Sequence, residues 1–330
     1  MTGVMNIPVA KDDADARLDR WFKRHYPHLK HGRLEKMLRT GQIRVDGGRA
    51  KANQRLNAGQ IVRVPPLDAM DAAPAKKGKP VSARDAAEVQ AMVLYKDDEL
   101  IALNKPPGLA VQGGTGTARH LDGMLDALKF GMEDRPRLVH RLDRDTSGVM
   151  VVARTVAAAG RLAKAFQGRD MQKTYWALVM GEPRHPAGTI SAALVKGGAP
   201  GQEKMKWDDE DGKKAVTDYR MISSAAGKIS WLALMPHTGR THQLRAHCVI
   251  LGTPIIGDGK YTVISPHIDQ RVDLHQGLLA DIADRLCLHA RSLTIPRAGK
   301  KPLTITAPLP KHMAAAFDDL GFDPKEGERE

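Results

Sequence analysis

The chain has 330 residues, of which 42% are hydrophobic and 27% are charged, as is typical of a globular protein with more than one domain. Lys and Arg number 51 against 38 Asp and Glu, and the net charge of +13 favours a polyanionic partner such as RNA. No uncharged apolar segment of about 18 residues occurs, which excludes a membrane-spanning helix from the expected fold.

Cysteine usage and the N-terminal sequence indicate a reducing compartment. Cys248 and Cys287 are the only cysteines, and neither belongs to a CxxC pair that would indicate structural zinc. The N-terminal residues lack the basic and apolar regions of a secretory signal. We therefore expect a cytoplasmic protein. Because only 4% of the residues are aromatic, RNA recognition is expected to depend mainly on Lys and Arg.

Residues 16–65 have the pattern of a small independent module. Two short amphipathic helices are followed by two strand-like phrases, GQIRVDG and AGQIVRVPP. This arrangement resembles the S4 RNA-binding domain, and the resemblance implies that basic residues along the module contact RNA. The alternative is that these charges form only a solvated helix face. The candidate RNA contacts are Lys30, Arg33, Lys36, Arg39 and Arg44.

The composition changes over residues 66–90, which are rich in Ala, Pro and Lys and contain the phrase KKGKP. A segment so poor in large apolar residues predicts a flexible linker. Two apolar runs then follow at 92–95 and 100–103, and the polar KDDE between them predicts a β-hairpin. The second strand should end at the KPPG turn that begins with Lys105, because proline cannot donate a ladder hydrogen bond.

The stretch at 138–154, LVHRLDRDTSGVMVVAR, carries the densest set of ionisable residues. A charged loop runs directly into the β-branched run 149–153, which predicts a buried strand. Charged groups beside a core strand are costly unless each is paired or used, and functional groups collect on loops held by a rigid scaffold. The loop is therefore either a turn whose Arg and Asp side chains pair with one another or a functional site.

The phrase HRLDRDTSG resembles the signature of the RluA/RluC/RluD-type large-subunit rRNA pseudouridine synthases. The phrases KPPG, KTYWALVMG and HTGRTHQLRAH also match this family, and the wording is most similar to the RluC-type branch. The resemblance implies that Asp143 is the catalytic nucleophile and that Arg245 pairs with it. It also implies that Tyr175 packs against the target base and assists removal of the proton from C5.

The chemistry that the resemblance implies agrees with these residue types. Isomerisation of uridine breaks the N1–C1′ bond, turns the uracil and joins C5 to C1′, and a carboxylate can drive this without a cofactor. A pocket that excludes water disfavours the ionised carboxylate, so a nearby arginine is needed. Arg141 lies two residues before Asp143 and should lie on the same side of an extended loop. Further candidate RNA contacts are Lys105, His140, Arg144, Lys173 and Arg240.

The sequence predicts neither a metal site nor a nucleotide cofactor. It has no GxxxxGK[ST] phosphate-binding motif and no HExxH zinc motif. His237, His242 and His247 recur every five residues, a spacing that spreads them around a helix instead of bringing them together on a metal.

Strands and helices do not alternate regularly, so the expected fold class is α+β. An S4-like domain at 16–65 would precede a catalytic domain at 91–322 with a mixed, largely antiparallel sheet, and a charged tail would occupy 323–330. The predicted helices of the catalytic domain are 118–130, 156–167, 240–251 and 273–285, and its later strands are 172–179, 214–222, 229–235, 287–295 and 303–306.

The expected partner is 23S rRNA or an immature large ribosomal subunit, bound by a monomer. RluD-type site specificity on the same rRNA is one alternative, and a non-catalytic RNA-binding assembly factor would be served equally well by the basic charge. A glycosidase-like hydrolase would require a second carboxylate, for which Asp145 is the nearby candidate. The glycine-containing loop at 197–201 leaves the exact target uridines open.

Overall fold

The computed structural model describes residues 3–10, 13–27, 29–67, 80–114, 116–168, 170–198, 204–261, 285–297 and 299–328. The chain divides into two compact units, Met1–Pro80 and Val81–Glu330. No helix of the described residues is long and apolar enough to cross a membrane.

The N-terminal unit packs two helices against a small antiparallel sheet whose strand order is β1-β4-β2-β3. Trp21 and Phe22 are almost fully buried in its core. Strand β1 pairs with β4, the last strand of the unit. The module therefore begins before residue 16, the boundary that the sequence predicted. Its elements are β1 Met5–Pro8, α1 Leu18–His25, α2 His31–Arg39, β2 Arg44–Val45, β3 Gly48–Arg49 and β4 Ile61–Val64.

The basic side chains of the N-terminal unit lie mainly on its surface. Lys30, Lys36 and Arg39 are exposed, and Arg33 is half-buried. Arg44 is exposed as well, but its guanidinium donates to the carbonyl oxygens of its own turn, at Gly41 and Gly47. Both the S4 assignment and the RNA contacts of these side chains stay predictions.

The second unit contains one large sheet with the strand order β11-β10-β12-β13-β9-β14-β8-β6-β5, to which β15 and β7 add at β14 and β8. Among the described strands only β14 and β8 pair in parallel, which confirms the predicted mixed, largely antiparallel sheet. The strands are β5 Val93–Lys96, β6 Leu100–Lys105, β7 Arg137–Leu138, β8 Ser147–Ala153, β9 Gln172–Met180, β10 Ala187–Gly197, β11 Lys204–Trp207, β12 Lys213–Ala225, β13 Ile229–Pro236, β14 Leu288–Arg297 and β15 Lys300–Thr306.

Two predicted boundaries of this unit are wrong. Helix α3, Ala83–Ala91, occupies part of the range predicted to be a linker, because Ser82 caps it and Val89 is buried in the core. Residues 68–79 of the predicted linker lie outside the described residues. The predicted tail forms a short 3-10 helix, Pro324–Glu328, whose Gly327 lies against the rings of two core tryptophans.

The remaining helices follow the sequence pattern with shorter bounds. Thr155 caps its helix as predicted, through a hydrogen bond from the backbone of Ala158. The helix expected at 118–130 is shorter and ends in a 3-10 turn, Leu125–Leu128, while most of the helix expected at 273–285 lies outside the described residues. The helices are α4 Leu121–Met124, α5 Val156–Gln167, α6 Gln243–Ile250 and α7 Lys311–Leu320.

Strand β8 is buried on both faces, and this makes it the rigid base of the loop that precedes it. Met150 and Val152 belong to one hydrophobic cluster, and Val149, Val151 and Ala153 belong to another. Because every residue of the strand is buried, the chain that enters it is held at a well-defined position.

Gly148 is the point at which β8 and β14 come closest, and its φ of +108° is a conformation that favours glycine. A Cβ atom built there would lie 2.2 Å from the carbonyl oxygen of Ala290. We expect Gly148→Ala to lower the free energy of unfolding by about 3 kcal/mol or more, measured by urea denaturation.

Gly160→Ala is the matched control for this substitution. Gly160 lies in α5, and a Cβ built there would meet no described atom within 4 Å beyond its chain neighbours and the backbone of its own helix. Because alanine is the better helix former, we expect a gain of about 0.5–1 kcal/mol. Equal stability of the two variants would contradict the close approach of β8 and β14.

Candidate active site

Asp143 lies on the loop between β7 and β8, at a pocket of about 130 Å³. Its side chain is 20% exposed, so the carboxylate is partly shielded but accessible from the pocket. Tyr175 from β9 and Arg245 from α6 line the same pocket, as does Arg141 from the loop itself. The four residues that the sequence analysis selected as catalytic candidates therefore lie together.

Lys105 holds the loop that carries Asp143, and it does so from a fully buried position. Its Nζ donates to the carbonyl oxygens of Pro106 and Leu109 in the KPPG turn, at 2.8 and 3.0 Å, and to that of Arg144 at 2.8 Å. The prediction that Lys105 contacts RNA is wrong, because all three protons of the ammonium group are used inside the protein. The lysine therefore joins the segment that follows β6 to the loop that carries Asp143.

The charge of Lys105 is opposed by burial and supported by its neighbours. Burial lowers the pKa of its ammonium group to about 7, although the carboxylates of Asp145 and Asp143 act in the opposite direction. Three carbonyl acceptors also favour the form with three protons. In its protonated form the ammonium group places a positive charge near the carboxylates of Asp145 and Asp143.

His140, which was predicted to contact RNA, is half-buried and makes two contacts inside the protein, so its contact with RNA stays a prediction. Its Nε2 accepts a hydrogen bond from the backbone of Val151 at 2.8 Å, and its ring stacks on Phe166 with centroids 4.0 Å apart. Burial, with a smaller contribution from the charge of Lys173, lowers the pKa of His140 to about 3, so the ring is neutral at physiological pH. A neutral ring whose Nε2 is occupied serves to fix the loop against β8.

Tyr175 lies beside Asp143 and keeps its proton at neutral pH. Burial raises the pKa of the phenol, and the negative charge of Asp143 raises it further. Two residues earlier on the strand, Lys173 is half-buried, and burial lowers its pKa. The site thus offers a neutral phenol next to the carboxylate.

Arg245 lines the pocket from α6, but its direct partner differs from the predicted one. Its guanidinium makes a bidentate pair with Asp258, at 2.7 and 2.6 Å, and not an ion pair with Asp143. Asp258 follows α6 in a tight turn and also accepts from the backbone of Lys260 and Tyr261, which fixes the carboxylate where the guanidinium reaches it. The predicted Arg245–Asp143 pair is therefore corrected to an arginine that is held beside the pocket by Asp258.

The positive charge of Arg245 is strongly supported. Burial opposes it, but the hydrogen bonds that the guanidinium donates to Asp258 raise its pKa, and the charge of Asp143 adds to this effect. The guanidinium also lies over the ring of Tyr261, 5.0 Å from its centroid. Arg245 therefore contributes a fixed positive charge to the field at Asp143 without neutralising it through direct contact.

The other arginines of HRLDRDTSG and HTGRTHQLRAH are exposed around the mouth of the pocket. Arg141 lines both the pocket and a neighbouring groove, and no ion pair joins it to Asp143 among the described residues. Arg144 pairs with Asp145 at 3.1 Å. Arg240 donates to the carbonyl oxygen of Lys214 and also lines the groove. The catalytic role predicted for Arg141 and the RNA contacts predicted for Arg144 and Arg240 stay predictions.

The groove beside the pocket was not predicted from the sequence. It measures about 750 Å³ and lies between the β10–β11 hairpin and the loop before α6. Isolated lysines of a hairpin give no recognisable pattern, so only the folded chain shows that they converge. The basic residues that line it are Arg141, Lys196, Lys204, Lys213, Arg240 and Lys260.

The three histidines of the HTGRTHQLRAH motif each have a different partner. His237 contacts the carboxylate of Asp218 at 2.5 Å, and His247 contacts the Thr217 hydroxyl at 2.9 Å. Within the described ranges no group of three His, Cys, Asp or Glu side chains could hold a metal ion. His242 is the member of the set that faces Asp143, with Nε2 3.9 Å from a carboxylate oxygen, and sequence reasoning missed it.

Comparisons with known proteins agree with this site. The family model for RNA pseudouridylate synthases matches residues 99–249. Ribosomal large subunit pseudouridine synthase C of Vibrio cholerae is 34% identical over 325 residues, covering 97% of this chain and 98% of the relative. RNA pseudouridine synthase 4, mitochondrial, of Arabidopsis thaliana is 33% identical over 96% of this chain and 81% of its own length.

A solved structure supports the same conclusion. Human RNA Pseudouridylate Synthase Domain Containing 4 superposes with a TM-score of 0.60 at 28% identity, covering 73% of this chain and 98% of that chain. The chain belongs to the RNA pseudouridylate synthase family. It is an isomerase, and the α+β fold inferred from the sequence is the fold of this family.

The role of the Lys105 hydrogen bonds in fixing the Asp143 loop can be tested directly. Lys105→Met leaves three buried carbonyl oxygens without their donor, so we expect the free energy of unfolding to fall by about 3 kcal/mol. We also expect about a 100-fold loss of activity, because the Asp143 loop is no longer fixed. Activity is measured as release of tritium from RNA labelled at C5 of uracil.

The same substitution at Lys164, which is exposed on α5, is the control and should change neither quantity appreciably. A Lys105→Met protein with wild-type stability and activity would contradict the role of the buried ammonium group.

Proposed function

We propose that this chain converts specific uridines of 23S rRNA to pseudouridine, with Asp143 as the nucleophile. The observation that carries the proposal is the pocket in which the Asp143 carboxylate lies beside a neutral tyrosine, Tyr175, and a fixed cation, Arg245. The names of two relatives give the substrate class, because both describe pseudouridine synthases and one acts on the large ribosomal subunit.

The residues of the pocket suit each requirement of the isomerisation. The carboxylate of Asp143 attacks C1′ as the N1–C1′ bond breaks, and after the uracil has turned, C5 bonds to C1′ as the bond to Asp143 breaks, which frees the carboxylate. The hydrogen displaced from C5 leaves as a proton, while N1 gains one, so the reaction needs no cofactor. Lys105 and Arg245 stabilise the anion by charge without forming an ion pair with it, so a lone pair stays available for attack.

Tyr175 is proposed to pack against the uracil ring in preference to acting as a base. Its raised pKa keeps the phenol protonated at neutral pH, and a protonated phenol cannot accept the C5 proton. Its place on β9, beside Asp143, suits a ring that supports the base while it turns. The assistance in proton removal that the family resemblance implies for Tyr175 stays an alternative role.

The basic groove next to the pocket is proposed to hold the RNA backbone on one side of the target nucleotide. A uridine can reach Asp143 only when it is outside a stacked helix, so its neighbours must be held as single strand or as an opened loop. Lys204, Lys213 and Arg240 line the groove and would pair with phosphates. This extends the list of RNA contacts beyond the residues selected from sequence.

The sequence motifs and composition suggest the branch of the family, the substrate and the location of the protein. We place the chain in the RluC-type branch, acting as a monomer in the cytoplasm on 23S rRNA or an immature large subunit, with the N-terminal unit as an S4-like RNA-binding domain. The sibling RluD-type specificity uses the same chemistry and differs only in the uridines that are modified. A non-catalytic assembly factor would have no need for the pocket around Asp143.

Positional mapping tests the substrate class. Purified protein incubated with large-subunit rRNA should introduce pseudouridine at a small number of fixed positions, read by carbodiimide modification and reverse transcription. Small-subunit rRNA of the same source serves as the control and should stay unmodified. Modification of small-subunit rRNA alone, or of neither RNA as naked transcript or as immature particle, would contradict the proposal.

The groove gives a second test, which is independent of catalysis. Because each phosphate contact releases counterions, Lys204→Gln combined with Lys213→Gln should weaken RNA binding and flatten the plot of log Kd against log salt by about 0.7 per lost contact. Lys300→Gln combined with Lys301→Gln on β15 removes the same charge from another part of the sheet and is the matched control. Equal salt slopes for the two double variants would rule out the groove as the RNA path.

A further inference from the structure

His242 is held in a strained backbone conformation directly at the active site. Its φ of 50° and ψ of 23° lie in the left-handed region, and it immediately precedes α6. A residue other than glycine rarely adopts this conformation, and such outliers persist where the surrounding structure over-determines them. His242 is also one of the residues that line the pocket.

The two ring nitrogens of His242 have different neighbours. Nε2 lies 3.9 Å from Oδ2 of Asp143, and Nδ1 lies 3.1 Å from the hydroxyl of Tyr261. The rings of His242 and Tyr261 meet edge to face, with an interplanar angle of 89°. The side chain of His242 is 16% exposed, so its orientation is fixed by packing as well as by these two contacts.

The environment of Tyr261 determines which nitrogen of His242 carries the proton. The Tyr261 oxygen accepts a hydrogen bond from the backbone N–H of Met205, at 2.7 Å. With this acceptor site occupied, the phenol is free to donate its own proton, and Nδ1 of His242 is the acceptor within reach in the described part of the chain. With Nδ1 accepting, the neutral ring must carry its proton on Nε2, which faces Asp143.

The groups that face His242 keep the ring neutral. Burial is the largest effect and lowers its pKa, and the positive charges of Arg245 and Lys260 lower it further. The carboxylates of Asp143 and Asp258 act in the opposite direction but are outweighed. A neutral imidazole can donate a hydrogen bond to the nucleophile without cancelling its charge, whereas an imidazolium would pair with the carboxylate and lower its nucleophilicity.

We propose that His242 is a positioning residue for the reaction: its Nε2–H orients the Asp143 carboxylate by one oxygen and leaves the other oxygen free to attack. Tyr261, itself fixed by Met205 on the β10–β11 hairpin, sets the tautomer that makes this possible. The distance of 3.9 Å closes to a hydrogen bond when RNA fills the pocket, because enzyme hydrogen bonds tighten in the substrate complex. The inference rests on the proposed role of Asp143 as nucleophile.

Three substitutions at His242 separate this role from a purely structural one. Gln places an amide donor near the position of Nε2, Asn tolerates the left-handed conformation best but is too short to reach Asp143, and Ala removes the side chain. We expect Ala and Asn to lower kcat by about 10–100-fold with little change in KM for RNA. Gln should stay within about fivefold of wild type.

If the backbone conformation alone mattered, Asn would be the best of the three variants, and that order would overturn the proposal. Wild-type kcat in the Ala variant would overturn it as well. The pH profile gives a third criterion, since the activity of the wild type should fall as acid protonates His242, and the Gln variant should lose this acid limb. An unchanged acid limb in the Gln variant counts against the proposal.

The tautomer can be measured without any reference to activity. In the 15N spectrum of wild-type protein at pH 7, His242 should show a protonated Nε2 and an unprotonated Nδ1. Tyr261→Phe keeps the ring beneath Arg245 but removes the hydroxyl, so the His242 signals should shift toward a mixture of tautomers. A protonated Nδ1 in the wild type would overturn the assignment. Failure of wild-type protein to modify RNA would instead overturn the proposed function, and the spectrum would still decide the tautomer.

Discussion

The buried ammonium group of Lys105 is the contact on which the geometry of the site depends. It joins the KPPG turn after β6 to the loop before β8 through three carbonyl oxygens, and it carries its charge beneath Asp143. A buried lysine is costly unless it is fully hydrogen-bonded and near opposite charge, and here both conditions are met. The same interaction therefore fixes a loop and supplies part of the electrostatic field that a nucleophilic carboxylate requires.

The ion pair between Arg245 and Asp258 places a further positive charge at the pocket. Asp258 holds Arg245 in a bidentate pair, and the turn at 258–261 uses the same carboxylate to anchor its backbone. Because the pair is satisfied internally, the arginine contributes charge to the pocket without blocking Asp143. Tyr261 from this turn contacts both Met205 of the β10–β11 hairpin and His242. The same tyrosine therefore links the basic groove to the pocket that contains Asp143.

Long motifs and periodic strands could be predicted from the sequence because they depend on local order along the chain. Asp143, Tyr175 and Arg245 were placed in one site through the motifs that carry them, and the strands of the large sheet follow alternating or buried apolar runs. Lys105 was misassigned because the sequence does not distinguish a buried, fully hydrogen-bonded lysine from an exposed one. Asp258 was missed because its partner lies 13 residues earlier in the chain.

The most direct test of this account compares wild-type protein with Asp143→Asn, which preserves the shape of the side chain and removes the anion. The measurement is release of tritium from large-subunit rRNA labelled at C5 of uracil, together with the Kd of each protein for the same RNA. We expect release by the wild type and none by the variant, with equal Kd values. Release by Asp143→Asn within about tenfold of the wild-type rate would contradict the role of Asp143 as nucleophile.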